Sequence, residues 1–166
     1  VENVDQLGQA LLGALAFDDS VIIQQWVEGV EVSVTVFSDA SGEKTLPPVE
    51  IVVTKGIYDT DARLDSERVQ HFCPVRPESL TACGVNSEQA YVAIERAARE
   101  VYTAYSCRDL ARIDLLWDGH NVMVMGLKTF PGLTETSLVP IALEAAGYTV
   151  EDILAHLVES ALARGN

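Results

Sequence analysis

Apolar and polar residues alternate through Val30-Glu31-Val32-Ser33-Val34-Thr35-Val36-Phe37, and this period of two predicts a half-buried β-strand. Before it, Leu7, Ala10, Leu11, Ala14 and Leu15 share one face at helical spacing, after an Asn3 to Gln6 pair that resembles a capping box. An amphipathic helix is expected there. Val21-Ile22-Ile23 and Val49-Glu50-Ile51-Val52-Val53 read as further strands, and Ser38 to Glu43, with Gly42, as a turn. From Lys55 to Pro77 the periodicity lapses into a polar stretch holding Gly56, Pro74 and Pro77, too long for a tight turn and so a candidate functional loop.

Ser87 is placed to cap the longest helix, whose apolar face is Tyr91, Ile94, Ala98, Val101, Tyr102 and Tyr105. Leu110 to Trp117 and Asn121 to Leu127 read as strands joined at Asp118-Gly119-His120, where Asp-Gly is a hairpin signal. Two short helices follow. One begins near Ser137, tolerates Pro140 in its first turn and stops at Gly147, and the other runs from about Val150 to Arg164 with Thr149 as its cap. No repeat, low-complexity tract or linker interrupts this order, so residues 1–166 read as a single α+β domain with a largely antiparallel sheet packed with helices.

Composition narrows the partners. A chain of 166 residues that is 48% hydrophobic can bury a sizeable core. Its 25 acidic against 11 basic residues give a net charge of −14, which repels nucleic acid and anionic membranes; solubility or adaptation to salt is favoured as the source of the acidity over a cationic partner protein. Cys73, Cys83 and Cys107 are odd in number and lack C-x-x-C spacing, and His71, His120 and His156 are scattered, so neither a disulfide frame nor a zinc site is expected. No run approaches the ~18 apolar residues of a spanning helix and no basic-then-apolar leader opens the sequence, which makes a reduced, cytoplasmic setting the expectation.

Candidate chemistry lies late in the chain. In the strand from Leu110 to Trp117 the period of two puts Arg112 and Asp114 on one face. Such a pair is more often a structural ion pair than a site. Gly126 and Lys128 share a face of the next strand and lead into Thr129 to Ser137, where Pro131-Gly132 marks a turn that lets backbone N–H groups approach a ligand oxygen. Ser137 then precedes a helix, whose free N–H groups favour a carboxylate or phosphate. From spacing alone, an ordinary cap after an ordinary turn explains the same residues equally well.

Five stretches, in order, carry a resemblance. Val1-Glu2-Asn3-Val4 resembles the segment after a glycine-rich loop, Gln24-Gln25-Trp26-Val27-Glu28-Gly29-Val30-Glu31 an adenine hinge followed by Gly-x-Glu, and Tyr58-Asp59 through Arg63, with Phe72-Cys73-Pro74, a mobile loop. Cys107 to Asp114 resembles Cys-Arg/Lys-Gly-x-Ala/Gly-Arg-Val/Ile-Asp, and Gly126 to Ser137 resembles Glu-x-Asn-Thr-x-Pro-Gly-Met/Leu-Thr-x-x-Ser. Together, from Val1 to about Leu162, they are similar to the C-terminal portion of D-alanine:D-alanine ligases, members of the ATP-grasp superfamily. The resemblance implies the fold of an ATP-grasp C-terminal lobe, with ATP and magnesium as cofactors and a D-amino acid as substrate in the making of D-Ala-D-Ala for peptidoglycan.

It also implies roles. Hinge backbone near Gln25 and Trp26 would meet adenine, Glu31 the ribose hydroxyls, and Arg63 the transferred phosphate. Asp114 would bind magnesium, Arg112 and the Gly132 N–H would stabilise the oxyanion, and Ser137 and Leu138 would hold the acceptor carboxylate. The sequence departs from the family where it matters for metal: Gly126 and Lys128 stand at the Glu and Asn positions that are magnesium ligands. Gln24 and Gln25 replace acidic hinge residues and Leu64 replaces an aromatic, which are milder changes. The glycine-rich loop and the first lobe, which shares in the family's homodimer contacts, lie outside the resemblance.

Three readings result. The first is a ligase-like lobe that is catalytically incomplete alone. The second is a non-catalytic nucleotide- or carboxylate-binding module. The third is a split enzyme completed by a separate lobe, which requires an apolar exposed face.

Overall fold

The computed structural model describes residues 1, 3–39, 42–54, 56, 67–81 and 85–165. Helix α1 (Leu7–Leu15) follows a short 3₁₀ turn (Val4–Gln6) at which the Asn3 side chain accepts a 3.2 Å hydrogen bond from the Gln6 N–H. The expected amphipathic helix therefore forms, but none of its residues is buried. Val21-Ile22-Ile23, expected as a strand, joins no ladder, and Ile22 and Ile23 are 83% and 71% exposed. The physical reason is pairing: an extended segment becomes a strand only by bonding a neighbour, and the sheet offers this one no partner among the described residues.

Strands β1 (Val30–Asp39), β2 (Gly42–Thr45), β3 (Val49–Val53), β4 (Val69–Phe72), β5 (Leu110–Trp117) and β6 (Val122–Lys128) form one sheet ordered β4-β3-β1-β5-β6, with β2 paired to β1. Every described pairing is antiparallel. β4 lies inside the stretch expected to be loop; its four residues, Val69-Gln70-His71-Phe72, are too short and polar to show a period. Asp118 turns the β5–β6 hairpin by accepting hydrogen bonds from the His120 and Asn121 N–H groups at 2.8 and 2.6 Å, with Gly119 at φ 95°.

The sheet is buried on both sides. On one side, helix α3 (Ser87–Ala104) follows α2 (Pro77–Leu80) and sets Ala90, Ile94, Ala98 and Tyr102 against Val32, Val34, Ala111, Ile113 and Leu115. Burying a Val or Ile side chain of this kind stabilises by about 1.5–3 kcal/mol. The residue capping α3 is Asn86, one before the expected Ser87: its Oδ1 accepts from the Glu88 N–H at 2.7 Å. Tyr105, expected on the buried face, follows the last helical residue and is 72% exposed.

On the other side, α4 (Leu138–Ala145) and α5 (Val150–Arg164) pack Leu138, Val139, Ala142, Leu143 and Ile153 on Phe37, Val49, Ile51 and Leu110. Thr149 caps α5 as expected, in a capping box with Asp152. Asp109 enters β5 with φ 62°, in the left-handed region that Asp tolerates better than most residues. The Arg164 guanidinium at 2.7 Å and the Ser160 hydroxyl at 2.5 Å fasten its carboxylate to α5 and hold it below the usual range.

Candidate functional site

The register of β1, β5 and β6 builds a charged strip. Ser33 opposes Asp114 and Thr35 opposes Arg112 across β1 and β5, while Arg112 opposes Lys128 and Asp114 opposes Gly126 across β5 and β6. Residues directly opposite share a face, with Cβ atoms about 5 Å apart. The four residues chosen by their period thus stand in two adjacent rungs, which Ser33 and Thr35 complete. This is the face on which α4 and α5 pack, over Phe37, Val49, Ile51 and Leu110.

Within the strip, Arg112 forks onto Asp114. Nε donates to Oδ1 at 3.0 Å and an Nη donates to Oδ2 at 2.9 Å. Ser33 Oγ donates to the same Oδ1 at 3.0 Å. Arg112 is only 7% exposed, so the fork fixes a guanidinium that water reaches little. Ser33 escapes a motif reading because it is one hydroxyl in an alternating strand; only the register reveals it as a partner of Asp114. Lys128 is half-buried, and its ammonium makes no hydrogen bond or ion pair among the described residues.

A concavity of about 420 Å³ opens where β1 and β3 part beyond the Glu31–Ile51 pair. Trp26, Gly29, Glu31, Val53, Gly56 and Arg76 line it among others. Gly29 is required here: a Cβ on it would lie 2.4 Å from the Trp117 carbonyl oxygen. Sequence inspection passes over Glu50 and Arg76, which also border this space. Glu50 is buried and receives the Arg76 N–H, Nε and Nη at 3.1, 3.0 and 2.7 Å, while the Arg76 guanidinium lies 3.9 Å from the centre of the Phe72 ring. Burial pushes the Glu50 carboxyl up, but its bonds from Arg76 and Ser79 outweigh this and hold it below its ordinary value.

The Pro131-Gly132 turn places Gly132 against Ser137: a Cβ on Gly132 would meet Ser137 Oγ at 2.9 Å. That hydroxyl shares a 2.8 Å hydrogen bond with Thr134 Oγ1, and the Ser137 N–H donates to the Thr134 carbonyl at 2.8 Å. Ser137 is the N-cap residue of α4 and makes no side-chain cap bond; Leu138 sends its side chain into the core. Gln25 and Trp26 lie in the exposed segment before β1, with Trp26 71% exposed. Arg63 lies outside the described residues. Burial raises the Cys73 thiol to about 11, which keeps it from thiolate chemistry.

Magnesium does not fit the strip. It needs several hard oxygen ligands in octahedral array. Both oxygens of Asp114 are engaged by Arg112, Gly126 brings no side chain to the opposing position, and Lys128 adds a second cation one rung away. No group of three metal-ligating side chains occurs among the described residues.

Fold and site together define a class: an antiparallel α+β lobe with helices packed on a sheet face that also carries a strip of charge. The chain belongs to the D-alanine–D-alanine ligase family, since the family described as "D-ala D-ala ligase C-terminus" matches residues 1–159. A D-alanine–D-alanine ligase of Ruthia magnifica subsp. Calyptogena magnifica is 30% identical over 159 residues, covering 95% of this chain and 50% of that protein. One from Actinobacillus succinogenes is 31% identical over 160 residues, covering 96% and 48%. The solved D-alanine–D-alanine ligase of Bacillus anthracis complexed with ATP is similar with a TM-score of 0.74 at 25% identity, over 98% of this chain and 49% of that one. D-alanyl-alanine synthetase A of Vibrio cholerae shares the fold, with a TM-score of 0.76 at 23% identity over 98% and 47%. This chain spans about half the length of the curated relatives it matches. No helix among the described residues is long and apolar enough to cross a membrane.

Proposed function

We propose that this chain supplies the nucleotide- and acceptor-binding half of an ATP-dependent D-alanine–D-alanine ligase site and does not complete the reaction alone. The observation that carries this is the single sheet face on which Glu31, Ser33, Arg112, Asp114 and Lys128 follow in register, beginning at the concavity beside Trp26. In this reading adenine lies along the backbone of Gln25 and Trp26, and Glu31 accepts hydrogen bonds from the ribose hydroxyls. The polyphosphate runs along the strip toward Arg112 and Lys128, with Arg63 approaching the transferred phosphoryl group.

Ligation of this type passes through an acyl phosphate and then a tetrahedral oxyanion. Fixed donors aimed at that oxygen lower the barrier, and Arg112, held rigid by its fork, and the Gly132 N–H are the donors proposed. Ser137 and the start of α4 hold the acceptor carboxylate, with Leu138 anchored in the core beneath. The expected setting is the cytoplasm, with the first lobe of the relatives as the missing contributor.

A second reading, a nucleotide- or carboxylate-binding module without turnover, is favoured by Gly126 and Lys128, which remove the oxygen ligands and leave the cations. Calorimetric titration with a non-hydrolysable ATP analogue tests the first point of both: binding is expected and Glu31→Ala weakens it about tenfold, the scale of a hydrogen bond to a charged group. Absence of binding contradicts the first reading and the nucleotide form of the second, and leaves only a carboxylate-binding module. Formation of D-Ala-D-Ala by this chain alone contradicts its incompleteness.

A further inference from the structure

The pair of rungs that holds Arg112, Lys128 and Asp114 carries two cations and one carboxylate, with Glu31 a rung further along the same face, in a protein whose net charge is −14. The carboxylate of that pair of rungs, Asp114, is already neutralised by the Arg112 fork and by Ser33. The Lys128 ammonium is left without a partner among the described residues. An ammonium with no carboxylate paired to it leaves its charge available to an incoming anion. The space for one is present. A Cβ built on Gly126 would find only Asp114 Oδ2, at 3.8 Å, so the position facing Asp114 is open rather than filled by a neighbour.

Distances along the sheet set the kind of anion. Glu31 and the Lys128 rung, at Thr35, are four residues apart on β1, roughly 13 Å at 3.3 Å per residue. That separation suits an extended nucleoside polyphosphate with its sugar at Glu31, better than a lone phosphate or a small carboxylate. We propose that this face binds the polyphosphate of a nucleotide directly, without a divalent cation, Lys128 and Arg112 supplying the positive charge that a metal would otherwise bring. The inference rests on the nucleotide reading for the identity of the ligand, but its charge argument stands on the strip alone.

The two separate experimentally when tripolyphosphate and ADP are titrated into the full chain, each in excess EDTA and in millimolar magnesium. Tripolyphosphate is expected to bind in EDTA and no more tightly in magnesium, which competes for the same oxygens, and Lys128→Gln, which keeps an uncharged stem of similar length, is expected to weaken it about tenfold. ADP is expected to bind more tightly than tripolyphosphate. If ADP gains nothing over tripolyphosphate, the adenosine assignment fails while the metal-free anion site stands. If either ligand binds only with magnesium, or if Lys128→Gln leaves tripolyphosphate affinity unchanged, the inference is overturned and the nucleotide reading survives wherever ADP still binds. Failure of tripolyphosphate to bind at all also overturns it.

A converse variant tests the same point by gain of metal. Gly126→Glu with Lys128→Asn places a carboxylate and an amide opposite Asp114 and Arg112, in space that the structure leaves open. Manganese, read by the loss of its free electron paramagnetic signal, is expected to bind the double variant and to remain free with the original chain. Manganese bound by the original chain contradicts the proposal, as does a double variant that folds, by circular dichroism, and still leaves manganese free.

Discussion

Gly29→Ala is the most informative single change outside the charged strip. The new Cβ would lie 2.4 Å from the Trp117 carbonyl oxygen, 3.0 Å from its carbon and 3.1 Å from Leu116 Cγ. An ordinary contact begins at 3.4 Å, so relief needs a shift of about 1 Å at the start of β1. The obstacle is backbone, and Val30 must stay paired with Trp117, itself held by its indole N–H to the Leu80 carbonyl at 3.1 Å. Overpacking of this kind costs about 1–3 kcal/mol, offset by ~0.4–1 kcal/mol from the stiffer unfolded chain. A net loss of about 1 kcal/mol lowers Tm by roughly 2–4 °C in a protein of this size. Gly13→Ala is the control: it lies within α1 with nothing within 4 Å of its Cβ, and is expected to be neutral or to gain up to ~1 kcal/mol. Thermal unfolding followed by circular dichroism compares the two. A Gly29→Ala protein as stable as the original refutes the argument that close approach to Trp117 demands glycine.

Acid should weaken the fold in two stages. His71 has Nε2 buried without a partner among the described residues, and burial lowers its pKa below 6.5, so the unfolded chain takes up the proton first and stability falls as pH drops through 6.5. The Glu50 carboxyl is held below 4.5 by Arg76 and Ser79 against the opposing effect of burial; its contribution is complete above 4.5 and is lost as pH falls through its lower folded value. Urea midpoints across pH 8 to 3 read both stages: His71→Leu should abolish the upper and Glu50→Gln should shrink the lower, to which Asp109, also held down, contributes as well, and an unchanged profile in either variant rejects that assignment. Thr149→Ala removes the acceptor for the Asp152 N–H at 3.1 Å and should cost about 1 kcal/mol; no fall in the urea midpoint would show that the cap contributes nothing to stability.

How much of this was legible in sequence depends on the physical source of each feature. The period of two in Val30 to Phe37 and in Leu110 to Trp117 marks the apolar side that packs on α3, although Ser33, Thr35 and Arg112 on the other side are buried as well, and both strands form where expected. Arg112 with Asp114, and Gly126 with Lys128, were also legible as same-face pairs. Their meeting across β5 and β6 depends on register, which the hairpin fixes. Thr149 announced its helix because a cap is a local interaction, whereas Asn86 and Ser87 are both good caps and only the geometry distinguishes them.

The failures have a common physical origin. Val21-Ile22-Ile23 has strand composition but no neighbour to bond among the described residues, and strand formation is a property of pairs. β4 exists for the opposite reason, since β3 supplies it with a ladder despite its weak pattern. Glu50 with Arg76, and Ser33 with Asp114, are separated by 26 and 81 residues and could not be found by spacing. Asp109 stands where the resembling motif has glycine; its φ of 62° shows why a residue tolerant of left-handed backbone is needed, and its bonds to α5 show what a carboxylate adds.

The central claim is that one sheet face, from Glu31 to Lys128, receives the nucleotide. Amide hydrogen exchange of the chain with and without a saturating ATP analogue tests it directly. Protection is expected in three separate segments, residues 26–34, 110–116 and 126–137, with α5 unchanged because no residue proposed to meet the nucleotide lies in it. Exchange that slows equally in α5, or that leaves those three segments untouched while the analogue is bound, would contradict the account.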